Sequence, residues 1–149
     1  MGKIFQADIP GNFNHAIFTN ASVASNGSDA VIASHGFRAP SDIKVKAVYY
    51  QPWANAATKG TATTSATYKR INLYNGGSTG TATATTGLIA SCNITASIAS
   101  RGSKAFSTTS NNTASAGEIL YFSALTVGGT SDDGTTLQSG VLQIDYELI

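Results

Sequence analysis

This chain is poor in the side chains that do chemistry. Of its 149 residues only 11% are charged, one is a cysteine and two are histidines. With a single thiol, Cys92, no intramolecular disulfide can form, so stability has to come from packing or assembly. One thiol and two separated imidazoles do not supply a zinc site. A nucleophile needs a base within hydrogen-bond reach, and His15 and His35 are the only imidazoles available. Both lie in strand-like runs, "FNHAIF" and "IASHGF", and read as ordinary strand histidines. Serine is so abundant that a serine–histidine match carries no information. The expectation is a protein that is not an enzyme and has no catalytic residues.

Charge of one sign is also lacking. The formal net charge of +1 sets up no field that would gather nucleic acid or an anionic membrane. No apolar run approaches the roughly 20 residues needed to cross a bilayer. The first residues carry no signal-peptide pattern. The chain therefore reads as a soluble, unexported product with neither nucleic acid nor membrane as partner.

Motifs for cofactors and metals fare no better. The pair Asp132 and Asp133 in "GGTSDDGTT" does not match the twelve-residue calcium loop and reads as a solvated turn. The glycine-rich "NGGSTGT" has no phosphate-loop lysine and opens no helix. No cofactor and no metal are expected. Glycosylation acceptor patterns at Asn20, Asn26, Asn93 and Asn111 are what chance supplies in a chain rich in Asn, Ser and Thr.

What the chain does have is alternation. Period two places successive side chains on opposite faces of a sheet. It is clearest at the C-terminus, "GVLQIDYELI", where Leu142, Ile144, Tyr146 and Leu148 oppose Gln143, Asp145 and Glu147. In residues 43–50, Ile43, Val45, Ala47 and Tyr49 alternate with Lys44, Lys46, Val48 and Tyr50. Weaker runs span residues 12–20, 30–39, 68–75, 104–109 and 118–127. In residues 88–98, Cys92 shares a side with Leu88, Ala90, Ile94, Ala96 and Ile98, which predicts a buried, unreactive thiol. Turn-forming clusters such as "SNGSD", "APSD" and "ASAG" separate the runs. Together they predict an all-β fold, an antiparallel sandwich, jelly roll or barrel of about eight strands.

Two polar segments, residues 54–66 and 76–87, exceed hairpin length. They are functional loops or, through their threonines, additional edge strand. Residues 1–12 form an N-terminal arm ahead of a single domain over residues 13–149. The arm's Ile4, Phe5 and Ile9 need cover, from the chain's own sheet or from a neighbouring subunit. Of the clustered rings Tyr49, Tyr50 and Trp53, the simplest allocation puts one in the core and another at an interface. A carbohydrate platform built on them is the alternative.

Three segments carry a family resemblance. "FRAPSDIKVKAVYYQPW" (residues 37–53) resembles the stretch in jelly-roll virion proteins of tailed bacteriophages where an apolar-Pro-Asp turn enters an alternating strand that closes on proline. "TYKRINLYNGGSTGT" (residues 67–81) resembles their next strand and its glycine-rich loop. "ASAGEILYFSALTVGGTSDDGTTLQSGVLQIDYELI" (residues 114–149) resembles their Ala-Gly-acidic turn, penultimate strand, polar loop and terminal strand. Where that pattern has Gly-Asp, this chain has Gly117-Glu118.

The resemblance implies a jelly-roll β-sandwich acting as a capsid decoration, or cement, protein. Such a protein would form a homotrimer on the virion's capsid surface and stabilise the lattice of the major capsid protein. The candidate interface residues are Lys3, Ile4, Phe5, Gln6 and Ile9 of the arm, with Tyr50 and Trp53. Head fibres and tail appendages use similar sandwiches, so the alternative is a host-recognition module that binds glycans through Tyr50, Trp53 and the threonine-rich loops.

Overall fold

The computed structural model describes residues 11–18, 21–22, 30–31, 37–52, 68–80, 87–95, 98–99, 102–127, 136–137 and 140–149. In chain order the strands are β1 (Gly11–Phe18), β2 (Ala21–Ser22), β3 (Ala30–Val31), β4 (Phe37–Arg38), β5 (Ile43–Pro52), β6 (Tyr68–Asn75) and β7 (Leu88–Ile94). They continue with β8 (Lys104–Ala105), β9 (Ser107–Thr108), β10 (Thr113–Ala114), β11 (Ile119–Val127), β12 (Thr136–Leu137) and β13 (Gly140–Leu148). Among the described residues the only helical turn is a 3-10 turn at Gly77–Thr79.

Among the described residues all pairings are antiparallel, and most fall into two main sheets. The front sheet runs β1-β13-β5-β10, with β8 also on β5. The back sheet runs β3-β11-β6-β7-β9, with β4 also on β11. A separate pair joins β12 to β2. The inner faces meet in an all-β sandwich. Ile43, Val45, Val48, Tyr50, Leu142 and Ile144 come from the front. Ile71, Leu73, Ala90, Cys92, Ile94, Leu120, Phe122 and Ala124 come from the back.

The strand order nests early chain with late chain. β13 sits between β1 and β5, and β11 sits between β3/β4 and β6, so each sheet is assembled from distant parts of the sequence. β1 begins at Gly11, two residues ahead of the expected boundary, because Gly11 and Asn12 pair with Tyr146 and Asp145. A close approach explains one glycine: a Cβ on Gly140 would stand 2.4 Å from the Gln51 carbonyl oxygen.

Two bulges correct the alternation read from the sequence. In β5, Asp145 faces Ala47 while Tyr146 faces Val45, so Lys46 is an extra residue that flips the phase. Ile43 and Val45 point inward as expected, but beyond Lys46 the buried residues are Val48 and Tyr50, with Ala47 and Tyr49 half-exposed. In β7, Leu73 pairs with Ala90 and Tyr74 with Leu88. Ile89 is the extra residue, fully buried, and Leu88 is half-buried instead of joining Cys92 in the core.

The run over residues 104–109 is also not one strand. β8 pairs with β5 in the front sheet and β9 with β7 in the back. Between them Phe106 donates its amide to the Val48 carbonyl at 2.9 Å and sets its ring edge-on to Phe122, 6.0 Å between centroids. The chain then recrosses. Thr109 bonds the Ile89 carbonyl, and Asn112 exchanges two bonds with Val45. This lacing covers the sandwich edge that β5 and β7 would otherwise leave open.

At the other side Phe37 of β4 meets Tyr146 of β13, 5.4 Å between ring centroids. The terminal alternation fades along β13: Leu142 and Ile144 are buried, Tyr146 packs against the core, and Leu148 is 51% exposed.

Candidate functional site

The outer face of the back sheet is polar yet buried at its centre. Asn72 Nδ2 donates to the Tyr74 hydroxyl at 3.0 Å, Tyr74 lies 5.6 Å from Tyr121, and buried Ser123 Oγ has no hydrogen-bond partner among the described residues. Toward the strand end Arg70 donates to Asn93 Oδ1 and to the Tyr68 hydroxyl. Asn72 and Tyr74 form a buried polar patch, and Arg70 with Tyr68 and Asn93 forms a hydrogen-bonded cluster beside it.

Among the described residues a concavity lies at one end of the sandwich, where the lacing segment recrosses. It encloses about 380 Å³. One wall is the β6–β7 junction, Asn75, Gly77 and Gly87; the opposite wall is Ser110, Asn111 and Thr113; Glu118 stands between them. Local geometry fixes each wall. The Asn75 amide donates to the Gly87 carbonyl at 2.7 Å, and the Gly77 amide donates to Asn75 Oδ1 at 2.8 Å. Thr109 Oγ1 donates to the Leu88 carbonyl at 2.8 Å and accepts from the Asn111 amide at 3.2 Å.

Glu118 enters through a β-turn. Its amide donates to the Ser115 carbonyl, with Gly117 at φ 84° in the left-handed corner that glycine tolerates. Glu118 Oε2 accepts from Asn75 Nδ2 at 2.7 Å and from the Ser115 amide at 2.8 Å. Arg38 donates to the Gly117 carbonyl at 2.7 Å, and the Ala116 amide donates to Asp42 Oδ1 at 2.8 Å, so the turn is clamped from both sides.

Chemically the cleft offers one carboxylate, amides and hydroxyls. The described residues include no group of three or more His, Cys, Asp or Glu able to hold a metal ion. None of their helices is long and apolar enough to cross a membrane.

The structure brings together few of the residues singled out from the sequence. Tyr50 is fully buried in the core and cannot serve as an interface or glycan contact; the bulge at Lys46 turned it inward and left Tyr49 half-exposed. Lys3, Ile4, Phe5, Gln6, Ile9 and Trp53 lie outside the described residues, as do His35, Asp132 and Asp133. The backbone of His15 lies at an irregularity of β1, between Phe13 and Ala16.

Cys92 is buried, as its position in the alternation predicts. Burial pushes its thiol up to about 11, partly offset by Lys104. Among the described residues the exposed large apolar side chains are Leu148 and Ile149.

Sequence reasoning did not find the cleft. "YNGGSTG" and "ASAG" are visible as turns, but their meeting with residues 110–113 depends on the lacing of the two sheets. Compared with known proteins, the chain matches no family model, no curated protein and no solved structure.

Proposed function

We propose that the chain is a structural protein of a tailed-phage virion: a jelly-roll decoration protein that sits on the capsid surface as a homotrimer and ties together neighbouring copies of the major capsid protein. The observation that supports the reading best is the nesting of β13 between β1 and β5 and of β11 between β3/β4 and β6. That order is what a sheet pair wound as two nested Greek keys produces. It comes with an apolar core and a surface rich in small polar side chains.

Such a protein works by burying area, with about 800 Å² per partner as the usual measure of a specific contact, and no bond has to be made or broken. Fold alone does not dictate function, so binding is the test. Purified chain is mixed with capsid shells stripped of it, and occupancy is read by sedimentation. Saturable binding is expected, lost when residues 1–10 are removed. Absence of binding rejects the decoration role, and unchanged occupancy without residues 1–10 rejects the arm as the contact.

The second reading, a fibre or tail module that recognises host glycans, is favoured by one observation, the polar cleft at Glu118. Tyr50 no longer supports it.

A further inference from the structure

We propose that the cleft between the β6–β7 junction and the 109–113 loop is a binding site for a neutral, hydroxyl-rich ligand of monosaccharide size, held chiefly by Glu118 and Asn111. The inference stands on the cleft alone and holds whether or not the chain coats a capsid.

Glu118 carries the argument. Both protein hydrogen bonds to its carboxylate fall on Oε2, and Oε1 accepts none from the described residues. A carboxylate oxygen is a strong acceptor, and this one is fixed before any ligand arrives. The clamped turn at Ser115, Gly117 and Asp42 holds the main chain, and the Asn75 amide holds the side chain.

The facing wall is also set in advance. Thr109 ties the loop to β7 and caps the Asn111 amide, which leaves the exposed Asn111 side chain on a braced backbone. Ser110 and Thr113 add exposed hydroxyls. A site whose walls are already ordered spends little of its binding free energy on ordering them.

The donor set selects the ligand class. A carboxylate disfavours anions. A hard cation asks for six to eight oxygen ligands, commonly several of them carboxylates, whereas the cleft holds one carboxylate already half committed. A polyol presents donors and acceptors together, which is what a carboxylate oxygen, a primary amide and two hydroxyls can answer. The volume of about 380 Å³ lies at the small end of ligand sites, with room for one sugar ring and its waters. Glycine at positions 77 and 87 keeps one wall low.

The test is NMR of the intact, isotope-labelled chain titrated separately with glucose, galactose, N-acetylglucosamine, rhamnose and calcium chloride. At least one sugar is expected to shift the amides of Ser110, Asn111, Thr113 and Glu118 saturably, with a dissociation constant on the order of 1–10 mM, as suits a small ligand in an open cleft. Asn111→Ala and Thr113→Val remove exposed side-chain groups and leave the fold intact, which their unchanged spectra elsewhere would verify. Asn111→Ala is expected to weaken the binding by about fivefold or more and Thr113→Val by about twofold or more. The proposal is overturned if no sugar moves these resonances, if both variants bind as tightly as the parent chain, or if calcium moves them and sugars do not.

Discussion

Cys92 and Tyr50 show how two buried ionisable groups tie the core to pH. They come from opposite sheets, and burial raises both, Cys92 to about 11 and Tyr50 upward from 10.0, with the nearby Cys92 adding to the Tyr50 shift. The unfolded thiol releases its proton near 9.0 while the folded one holds it to about 11. Cys92 therefore contributes stability that is complete below pH 9.0 and disappears as the pH climbs to about 11. At 1.36 kcal/mol per pKa unit this amounts to about 3 kcal/mol at most.

Urea midpoints are expected to fall between pH 9.0 and 11, less steeply in Cys92→Ala, with Tyr50 adding to the fall from about pH 10.0 upward. A thiol reagent at neutral pH should label the native chain only through unfolding. Fast native labelling, or identical slopes in the variant, would contradict this account of the core.

The segment from β8 to β10 laces the two sheets together at one edge. Phe106 stands at its crossing point, its amide on β5 and its ring on Phe122 of β11. Truncating a buried phenylalanine costs roughly 3–5 kcal/mol. Phe106→Ala should lose that much in urea unfolding and should raise amide exchange at Ser107 and Thr108 of β9 before β7 is affected. A loss below about 1 kcal/mol would show that the lacing is incidental.

This element also marks where sequence reasoning stops. Several runs of alternation have a counterpart: β6 occupies residues 68–75 as read, β13 matches the terminal run, and β11 starts one residue after Glu118. Alternation reports local periodicity. It does not report a chain that changes sheets at Phe106, nor an extra residue at Lys46 or Ile89, because a bulge changes pairing without changing residue type. Tyr49 and Tyr50 are thus indistinguishable until the partner strand is known. The cleft was hidden for the same reason, since Asn75, Asn111 and Glu118 meet only through tertiary pairing.

For the molecule as a whole, the central claim is that its value lies in surface presented by a rigid two-sheet body. The interleaved order of distant strands, the laced edge and the clamped turn at Glu118 suit the proposed role, in which neighbours would grip the faces of the body. The proposed role requires no bond to be made or broken, and any ligand at the cleft would add attachment to that role. The most direct measurement is a density map of the intact particle that carries this chain. The account predicts a two-sheet sandwich recurring in threes over the capsid lattice, seated across junctions of the major capsid protein. A particle without the chain, or one that holds it solely at the tail tip, would contradict it.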